Sequence, residues 1–210
     1  MHDNALILSR PEKSDQLVLL FHGVGLSARD LVSLGEALAQ ARPRATVISV
    51  EAPHPSTLGR GKEWFSVVGI TEENRPGRIA EVMPLFLQTI RHWQDQTGIG
   101  PDHTVLVGFS QGAIISLEST QASPGPDGPA HTIIALAGRF AVPVRRAPPN
   151  VRLHLIHGDQ DDVVQTRWSV EAAEQWRALG GAVTLDVLPG LGHSIDDRAL
   201  GHAVDHLPLA

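Results

Sequence analysis

The sequence predicts an α/β fold, in which a mostly parallel central sheet carries helices on both of its faces. Two observations predict it. Short apolar runs alternate along the chain with segments that have helical periodicity. The apolar runs are nearly continuous instead of alternating with polar residues, which is typical of strands that helices bury on both sides. The 210 residues fit one core, so we expect a single domain over 1–210.

Six apolar runs are the candidate strands: QLVLLF (16–21), ATVISV (45–50), TVLVGF (104–109), HTIIALAG (131–138), VRLHLIHG (151–158) and VTLDVL (183–188). Helical periodicity predicts a first helix over LVSLGEALAQ, after the candidate N-cap Ser27. Further helices are expected over 78–97, 113–120, 166–179 and 195–207, with a kink at Pro84. The residues SPGPDGP (123–129) predict a surface loop.

Composition and charge exclude several classes of protein. Hydrophobic residues are 42% and charged residues 19%, and the formal net charge is −6 without a dense basic cluster, so we expect no nucleic-acid partner. The absence of cysteine excludes disulfides, thiolate metal sites and a cysteine nucleophile. The first 16 residues do not resemble a secretory signal, and no apolar stretch reaches about 18 residues. These features predict no membrane span and a cytoplasmic location.

Residues of catalytic types follow directly after the predicted strands. In an open parallel sheet, ligands bind beyond the carboxyl ends of the strands. His22-Gly23, Ser110, Asp159, Asp161 and His193 all occupy such positions. The connection over 51–78 is long, and long connections inside a compact domain are often functional. We therefore expect the functional site at this edge of the sheet.

Ser110 lies in Gly-Phe-Ser-Gln-Gly, between a buried strand and a helix. The bare pattern is weak, because glycine is common in this chain. Its context is informative. Gly108 and Gly112 leave room for a sharp turn and for close packing of strand and helix, and the turn presents the hydroxyl above the sheet. The helix N-terminus also favours a developing negative charge. This combination predicts that Ser110 is a nucleophile.

An activated serine needs a base, and the base needs an acid that orients it. In hydrolases with this strand–turn–helix arrangement, the chain order is serine, acid, histidine. His193 follows the last strand through the turn PGLG and is the candidate base. Asp159, Asp161 and Asp162 share the loop after an earlier strand, and spacing alone does not choose among them. Turn stabilisation or helix capping is the alternative role for two of the three.

The oxyanion needs two amides aimed at one point. The residue after the serine, Gln111, and Val24 in the glycine-rich loop after the first strand are the candidate donors. We expect no cofactor. Metal-ligand residue types also lie close together in the sequence at His154, His157, Asp159 and Asp161. His154 and His157 are three residues apart on a predicted strand and point to opposite faces, so no metal is expected there.

The segments LFHGVG, GFSQGA, HGDQD and GLGH, in this order and spacing, resemble the phospholipase/carboxylesterase family of small α/β-hydrolases, which includes acyl-protein thioesterases and compact bacterial esterases. The likeness runs from about residue 16 to 207, and EWFSVVGITEENR resembles the bacterial esterase branch. The resemblance implies an α/β-hydrolase fold. It also implies a triad of Ser110, Asp161 and His193, because the family's acid is the second aspartate of Gly-Asp-x-Asp. It implies Val24 and Gln111 as oxyanion donors.

These observations predict a serine carboxylesterase that cleaves a small-molecule or lipid-like ester through an acyl-enzyme. Gly23, Trp64 and Phe65 are the candidate substrate contacts, with core packing as the alternative for the two aromatic residues. No insertion exceeds the 51–78 connection, so no large cap domain is expected.

Two other functions stay open. The first is an acyl thioesterase or lysophospholipase that uses the same triad on longer acyl chains. The second belongs to a different class, a non-catalytic binding module on a hydrolase scaffold. The sequence leaves undecided the physiological substrate, the acyl chain length and the oligomeric state, with a homodimer among the alternatives. It also leaves undecided the roles of Arg139, which is either a substrate contact or a surface charge, and of Asp162, which could compete for the histidine.

Overall fold

The computed structural model describes residues 5–123 and 125–209, and over these residues it contains nine strands and five α-helices. The strands are β1 (Ala5–Ser9), β2 (Gln16–Phe21), β3 (Ala45–Val50), β4 (His54–Pro55), β5 (Lys62–Glu63), β6 (Thr104–Phe109), β7 (Thr132–Leu136), β8 (Arg152–Gly158) and β9 (Ala182–Leu188). The helices are α1 (Val32–Ala41), α2 (Arg75–Thr97), α3 (Gln111–Ala122), α4 (Arg167–Ala178) and α5 (Asp197–Asp205). Two predictions concern residues outside the described ranges: the absence of a secretory signal, which involves residues 1–4, and the surface loop, which contains Pro124.

Seven of the described strands form one sheet in the order β1-β3-β2-β6-β7-β8-β9. Every neighbouring pair is parallel except β1 and β3, which are antiparallel. This confirms the predicted α/β fold with a mostly parallel sheet. Parallel pairing follows from the helix that connects most successive strands, because such a crossover returns the chain to the same edge of the sheet.

The core forms two layers, one on each face of the sheet. In β2, the side chains of Leu17, Leu19 and Phe21 belong to one hydrophobic cluster, and those of Val18 and Leu20 belong to the other. All five are fully buried, since successive side chains of a strand point to opposite faces. The first layer contains buried residues of α2, α3 and α4, and the second contains those of α1 and α5. Helices therefore cover both faces, as predicted.

Two features of the fold were not predicted. The edge strand β1 was not among the predicted strands, although its sequence ALILS is largely apolar; it is only partly buried and pairs antiparallel with β3. A short hairpin of β4 and β5 lies within the 51–78 connection, and its two-residue strands are too short to give a periodic signal.

The predicted N-cap residue Ser27 precedes a 3₁₀ turn (Ala28–Leu31) and not α1 itself. Pro84 lies inside α2, as expected, while the predicted kink stays a prediction.

The remaining helices agree with the periodic pattern. The largest difference is at the start of α2, which begins at Arg75 instead of residue 78, because Pro76 fits the first turn of a helix, where no amide donor is needed. Among the described residues, no helix combines the length and the hydropathy that a membrane crossing requires.

Candidate active site

Ser110 occupies a sharp turn between β6 and α3. Its backbone has φ 53° and ψ −116°, and apart from glycines only one other described residue, Ala137, has a positive φ. Such a conformation costs about 1–2 kcal/mol for a residue with a Cβ, so the surroundings must impose it. The Ser110 amide donates to the Leu136 carbonyl at 2.9 Å, and its own carbonyl accepts from the Ile114 amide. These bonds fix the turn from both sides.

The flanking glycines are required by the close approach of α3 to the sheet. A Cβ on Gly112 would lie 2.0 Å from the Phe21 carbonyl oxygen, and one on Gly108 would lie 2.5 Å from the Ala113 nitrogen. Both contacts are with backbone atoms, which cannot rotate away. Gly23 is equally close to the serine, because a Cβ there would lie 3.1 Å from the Ser110 Cβ. The loop after β2 therefore touches the turn that carries the serine.

Three side chains form a hydrogen-bonded series at the carboxyl edge of the sheet. His193 Nδ1 lies 2.7 Å from Asp161 Oδ2, and His193 Nε2 lies 2.8 Å from Ser110 Oγ. A carboxylate can only accept, so Nδ1 carries the proton and donates to Asp161. In the neutral ring, Nε2 then accepts from the Ser110 hydroxyl. An imidazole in this position can take the hydroxyl proton when the oxygen attacks a substrate. The Phe109 ring packs beside His193, with ring centroids 5.2 Å apart.

Asp161 accepts three hydrogen bonds and lies close to a further nitrogen, that of His157, although its side chain is fully buried. Its Oδ1 accepts from the amides of Val163 and Val164 at 2.9 and 2.8 Å. Its Oδ2 accepts from His193 and lies 3.2 Å from His157 Nε2. These donors offset the cost of burying a carboxylate and fix its orientation toward His193.

His157 is a residue whose part in the site was not predicted, because a histidine near a strand end reads as structural. Burial lowers the pKa of His157 below its usual value, so the ring is neutral at neutral pH. Its Nε2 faces the Val164 carbonyl at 2.7 Å, and its Nδ1 contacts the Ser169 hydroxyl at 2.7 Å. The ring thus contacts the same loop that supplies the two amides to Asp161. The contact exists because that loop folds back onto the end of β8, which the sequence alone does not reveal.

The Gln111 side chain ties the site to the 51–78 connection. Its Oε1 accepts from the Trp64 amide at 2.8 Å, and its Nε2 donates to the Phe65 carbonyl at 2.6 Å. Gln111 is also the first residue of α3, so its own amide has no acceptor within the helix. Trp64 and Phe65 are each 3% exposed and belong to the core, and Trp64 packs edge-on against Phe21. Their predicted substrate contacts stay predictions.

The loop with Gly23 and Val24 is braced by His22. His22 Nε2 accepts from the Ala52 amide at 3.0 Å, so Nδ1 carries the proton and donates to the Gly23 carbonyl at 2.8 Å. Burial lowers the pKa of His22, which keeps this neutral tautomer. Gly25 has φ 78°, and its amide donates to the Lys62 carbonyl. Val24 lies in this fixed turn, and its role as an oxyanion donor, like that of Gln111, stays a prediction.

The other two aspartates of the loop have different surroundings. Asp159 Oδ1 accepts from the Gly190 amide at 2.7 Å, and Gly190 belongs to the turn before His193. Asp159 therefore stabilises a turn, which is one of the alternative roles that the sequence allowed for two of the three aspartates. Asp162 is exposed, whereas Asp161 is the carboxylate that bonds His193 Nδ1.

Arg139, whose role the sequence left undecided, joins the end of β7 to the 51–78 connection. Its guanidinium donates to both carboxylate oxygens of Glu72, at 3.0 and 2.6 Å, and stacks 3.8 Å from the centre of the Trp168 ring. Glu118 supports the same segment, because its Oε1 accepts from the Ala141 amide at 2.6 Å. Arg139, Glu72 and Trp168 line a cavity of about 330 Å³.

Within the described residues, one group of three ligand-type side chains is arranged as a metal could bind it: Asp186, His202 and His206. It lies apart from the serine, between β9 and α5. Sequence reasoning considered His154 and His157 and missed this group, because its members come from two elements that only the fold brings together.

The fold and the hydrogen-bonded serine, histidine and aspartate define the α/β-hydrolase class. The model of the phospholipase/carboxylesterase family matches residues 2–210, so the chain belongs to this family. Esterase YpfH of Escherichia coli (strain K12) is 44% identical over 206 residues, which cover 98% of this chain and 88% of that protein. Acyl-protein thioesterase 1 homolog 1 of Dictyostelium discoideum is 26% identical over 189 residues, with 84% and 82% covered.

Solved structures agree with this assignment. Esterase PE8 has a TM-score of 0.86 and 31% identity, over 97% of this chain and 95% of that one. The Bacillus cereus carboxylesterase has a TM-score of 0.79 at 16% identity, over 96% and 91%, and it supports the fold alone.

Substitution of the glycine that touches β2 is expected to disrupt the site. Gly112→Ala places a Cβ 2.0 Å from a backbone oxygen, so we expect it to lower the free energy of unfolding by about 1–3 kcal/mol and to displace Ser110. Urea unfolding measures the change. Gly201→Ala is the matched control, because it is also a helical glycine but has nothing within 4 Å. It should raise stability by about 0.5–1 kcal/mol. Equal effects of the two substitutions would contradict the steric argument.

The ion pair of Arg139 and Glu72 should stabilise the fold in a pH-dependent way. The hydrogen bond from Arg139 lowers the pKa of Glu72 below 4.5. A lowered pKa in the folded state means that the stabilisation is complete above the unfolded-state pKa and is lost as pH falls through the folded-state pKa. We expect Glu72→Gln to be less stable than wild type at neutral pH, and the difference to shrink below pH 4.5.

Thermal unfolding between pH 3 and pH 7 measures this difference. Glu73→Gln removes the same charge one residue away, at a side chain that is exposed like that of Glu72, and serves as the control. A Glu73→Gln effect as large as that of Glu72→Gln would show that net charge, and not the ion pairs of Glu72 with Arg139 and Arg75, is responsible.

Proposed function

We propose that the protein is a serine carboxylesterase that hydrolyses acyl esters through an acyl-enzyme. The observation that carries this proposal is the hydrogen-bonded series of Ser110, His193 and Asp161, with the serine on a strained turn at the N-terminus of α3. Membership of the phospholipase/carboxylesterase family and the likeness to Esterase YpfH support it.

In the first half-reaction, the Ser110 oxygen attacks the ester carbonyl carbon while its proton passes to His193 Nε2. The carbonyl oxygen becomes an oxyanion, which the backbone amides of Val24 and Gln111 stabilise. Asp161 keeps His193 in the required tautomer and stabilises its charged form. When the tetrahedral intermediate collapses, His193 gives the proton to the leaving alcohol, and the acyl group stays on Ser110.

The second half-reaction repeats these steps with water. His193 takes a proton from the water as its oxygen attacks the acyl carbon, and then returns the proton to Ser110 as the acid leaves. No cofactor is required by this chemistry. His157 acts as a positioning residue in this scheme, because it contacts Asp161 and the loop that supplies the amides to Asp161.

The substrate is proposed to be a small-molecule or lipid-like ester. Gly23 would border it, because a Cβ built on Gly23 would lie only 3.1 Å from the Ser110 Cβ. Phe65 is a proposed contact because its backbone carbonyl is bonded by the side chain of Gln111, the residue after Ser110. The buried Trp64 would act through the loop after β2, since its indole nitrogen donates to the His22 carbonyl. The single domain, the cytoplasmic location, the absence of a nucleic-acid partner and the alternative of a homodimer stay predictions.

A thioesterase or lysophospholipase is the second candidate function. The likeness to an acyl-protein thioesterase homologue favours it. The same three side chains serve both reactions, because oxoesters and thioesters pass through the same kind of tetrahedral intermediate. The length and width of the acyl site decide between the two candidates.

A matched series of oxoesters and thioesters, from acetyl to palmitoyl, tests the proposal. We expect kcat/KM to be highest on oxoesters of short or medium chains, and Ser110→Ala to lower it at least about 10³-fold. A maximum on long chains or on thioesters would favour the second candidate. No serine-dependent turnover, together with no labelling of Ser110 by a fluorophosphonate, would leave the non-catalytic binding module.

The assignment of the acid is tested by two conservative substitutions in one loop. Asp161→Asn removes the charge that stabilises protonated His193, so we expect kcat to fall about 10³–10⁴-fold. Asp159→Asn, the matched control, weakens the bond to Gly190 and should cost about 1 kcal/mol of stability with little change in kcat. Initial rates and thermal unfolding measure both. Loss of turnover in a folded Asp159→Asn protein, with Asp161→Asn active, would refute the assignment.

A further inference from the structure

A second cluster of chemically capable side chains lies where α5 packs against the edge strand β9. His202 lies on α5 and His206 is the C-cap residue of this helix, one helical turn later, so the two side chains share one face. Both face Asp186, in the middle of β9: His202 Nδ1 lies 3.3 Å from Asp186 Oδ1, and His206 Nε2 lies 2.6 Å from Asp186 Oδ2. The three ligand atoms all lie within 4.8 Å of one another. The esterase chemistry uses none of these residues.

The separations in this cluster suit a tetrahedral transition-metal ion. Bonds of about 2.0–2.2 Å from zinc to imidazole nitrogen and carboxylate oxygen place neighbouring ligand atoms roughly 3.3 Å apart. The distance from His202 to Asp186 matches that value, and the distance from His206 to Asp186 is shorter, so a side-chain rotation that moves His206 away from Asp186 would admit the ion. Two imidazoles and one carboxylate are a donor set that zinc and similar divalent ions prefer, whereas calcium and magnesium prefer oxygen ligands.

The surroundings of the cluster allow an ion to enter. The side chains of His202, His206 and Asp186 are 38%, 18% and 23% exposed, so the ligand atoms are reachable from solvent. His154 stacks on the outer face of the group, with its ring 4.1 Å from that of His206.

We propose that Asp186, His202 and His206 bind a divalent transition-metal ion of the zinc type, with water completing the coordination. The site is structural in this proposal. Asp186 comes before the segment 189–196, which contains His193, and the two histidines come after this segment. A bound ion would therefore join the two ends of that segment and hold α5 against β9. This resembles the action of other structural metal sites, in which binding free energy becomes folding free energy.

Zinc binding by the full chain without an affinity tag tests the proposal. After removal of metal with a chelator, titration calorimetry with zinc should give one site per chain. At a free zinc concentration one hundred times Kd, the Tm should rise by about 5–10 °C. His202→Gln and His206→Gln should each weaken binding about 100-fold or more, since even the loss of an outer-shell partner of a ligand typically costs 10–100-fold. His103→Gln, an exposed histidine on another part of the surface, is the control and should bind as wild type does.

Asp186→Asn keeps the shape of the ligand and separates lost binding from lost folding. Its Tm in the presence of chelator shows that the chain is folded, and its affinity for zinc should also fall. No zinc binding by wild type below millimolar concentration would overturn the proposal. Binding that is unchanged in His202→Gln and His206→Gln, or that falls equally in His103→Gln, would overturn it as well. Esterase activity of the chelated wild-type protein should be retained at temperatures well below the Tm, because the ion touches no reacting atom.

Discussion

The close approach of α3 to the ends of β2 and β6 is the constraint on which the rest of the site depends. Gly112 touches the Phe21 carbonyl, and only a residue without a Cβ permits this contact. The approach forces Ser110 into a positive φ and turns its side chain away from the core toward His193. It also brings Gly23 against the serine, so the loop after β2 is positioned by the same contact. One steric requirement thus places the serine and the neighbouring loop together.

The 51–78 connection is held to the site by polar contacts and not by periodic secondary structure. The Gln111 side chain binds the backbone at Trp64 and Phe65, and Arg139 binds Glu72 through both carboxylate oxygens. The buried side-chain amide of Gln111 both accepts from and donates to the backbone of the connection. Because its oxygen and its nitrogen are then both hydrogen-bonded, these contacts favour one conformation of the connection. The position of any substrate wall built by this segment therefore depends on α3 and on the end of β7.

Much of this could be predicted from the sequence, because buried parallel strands and a glycine-flanked serine leave local patterns. All six predicted strands are present, and the loops that follow them carry the residues of the site. What could not be predicted depends on contacts between distant segments. The pairing of β1 with β3, the contact of His157 with Asp161 and the grouping of Asp186 with His206 each join residues that no periodic pattern relates. Spacing alone also left three aspartates open, since the choice depends on which carboxylate the loop aims at His193.

The site is rigid although its acid and its base lie on loops, because the two loops are bonded to each other. The Asp159 amide donates to Leu188 and the Gln160 amide donates to Leu191, while the Asp159 carboxylate accepts from Gly190. These three bonds join the end of β8 to the turn after β9, so a displacement of one loop carries the other with it. The distance of 2.7 Å between Asp161 and His193 is therefore maintained by the backbone around them as well as by their own hydrogen bond. The proposed function requires this property, because a pair that is positioned in advance needs little reorganisation when charge develops on the imidazole.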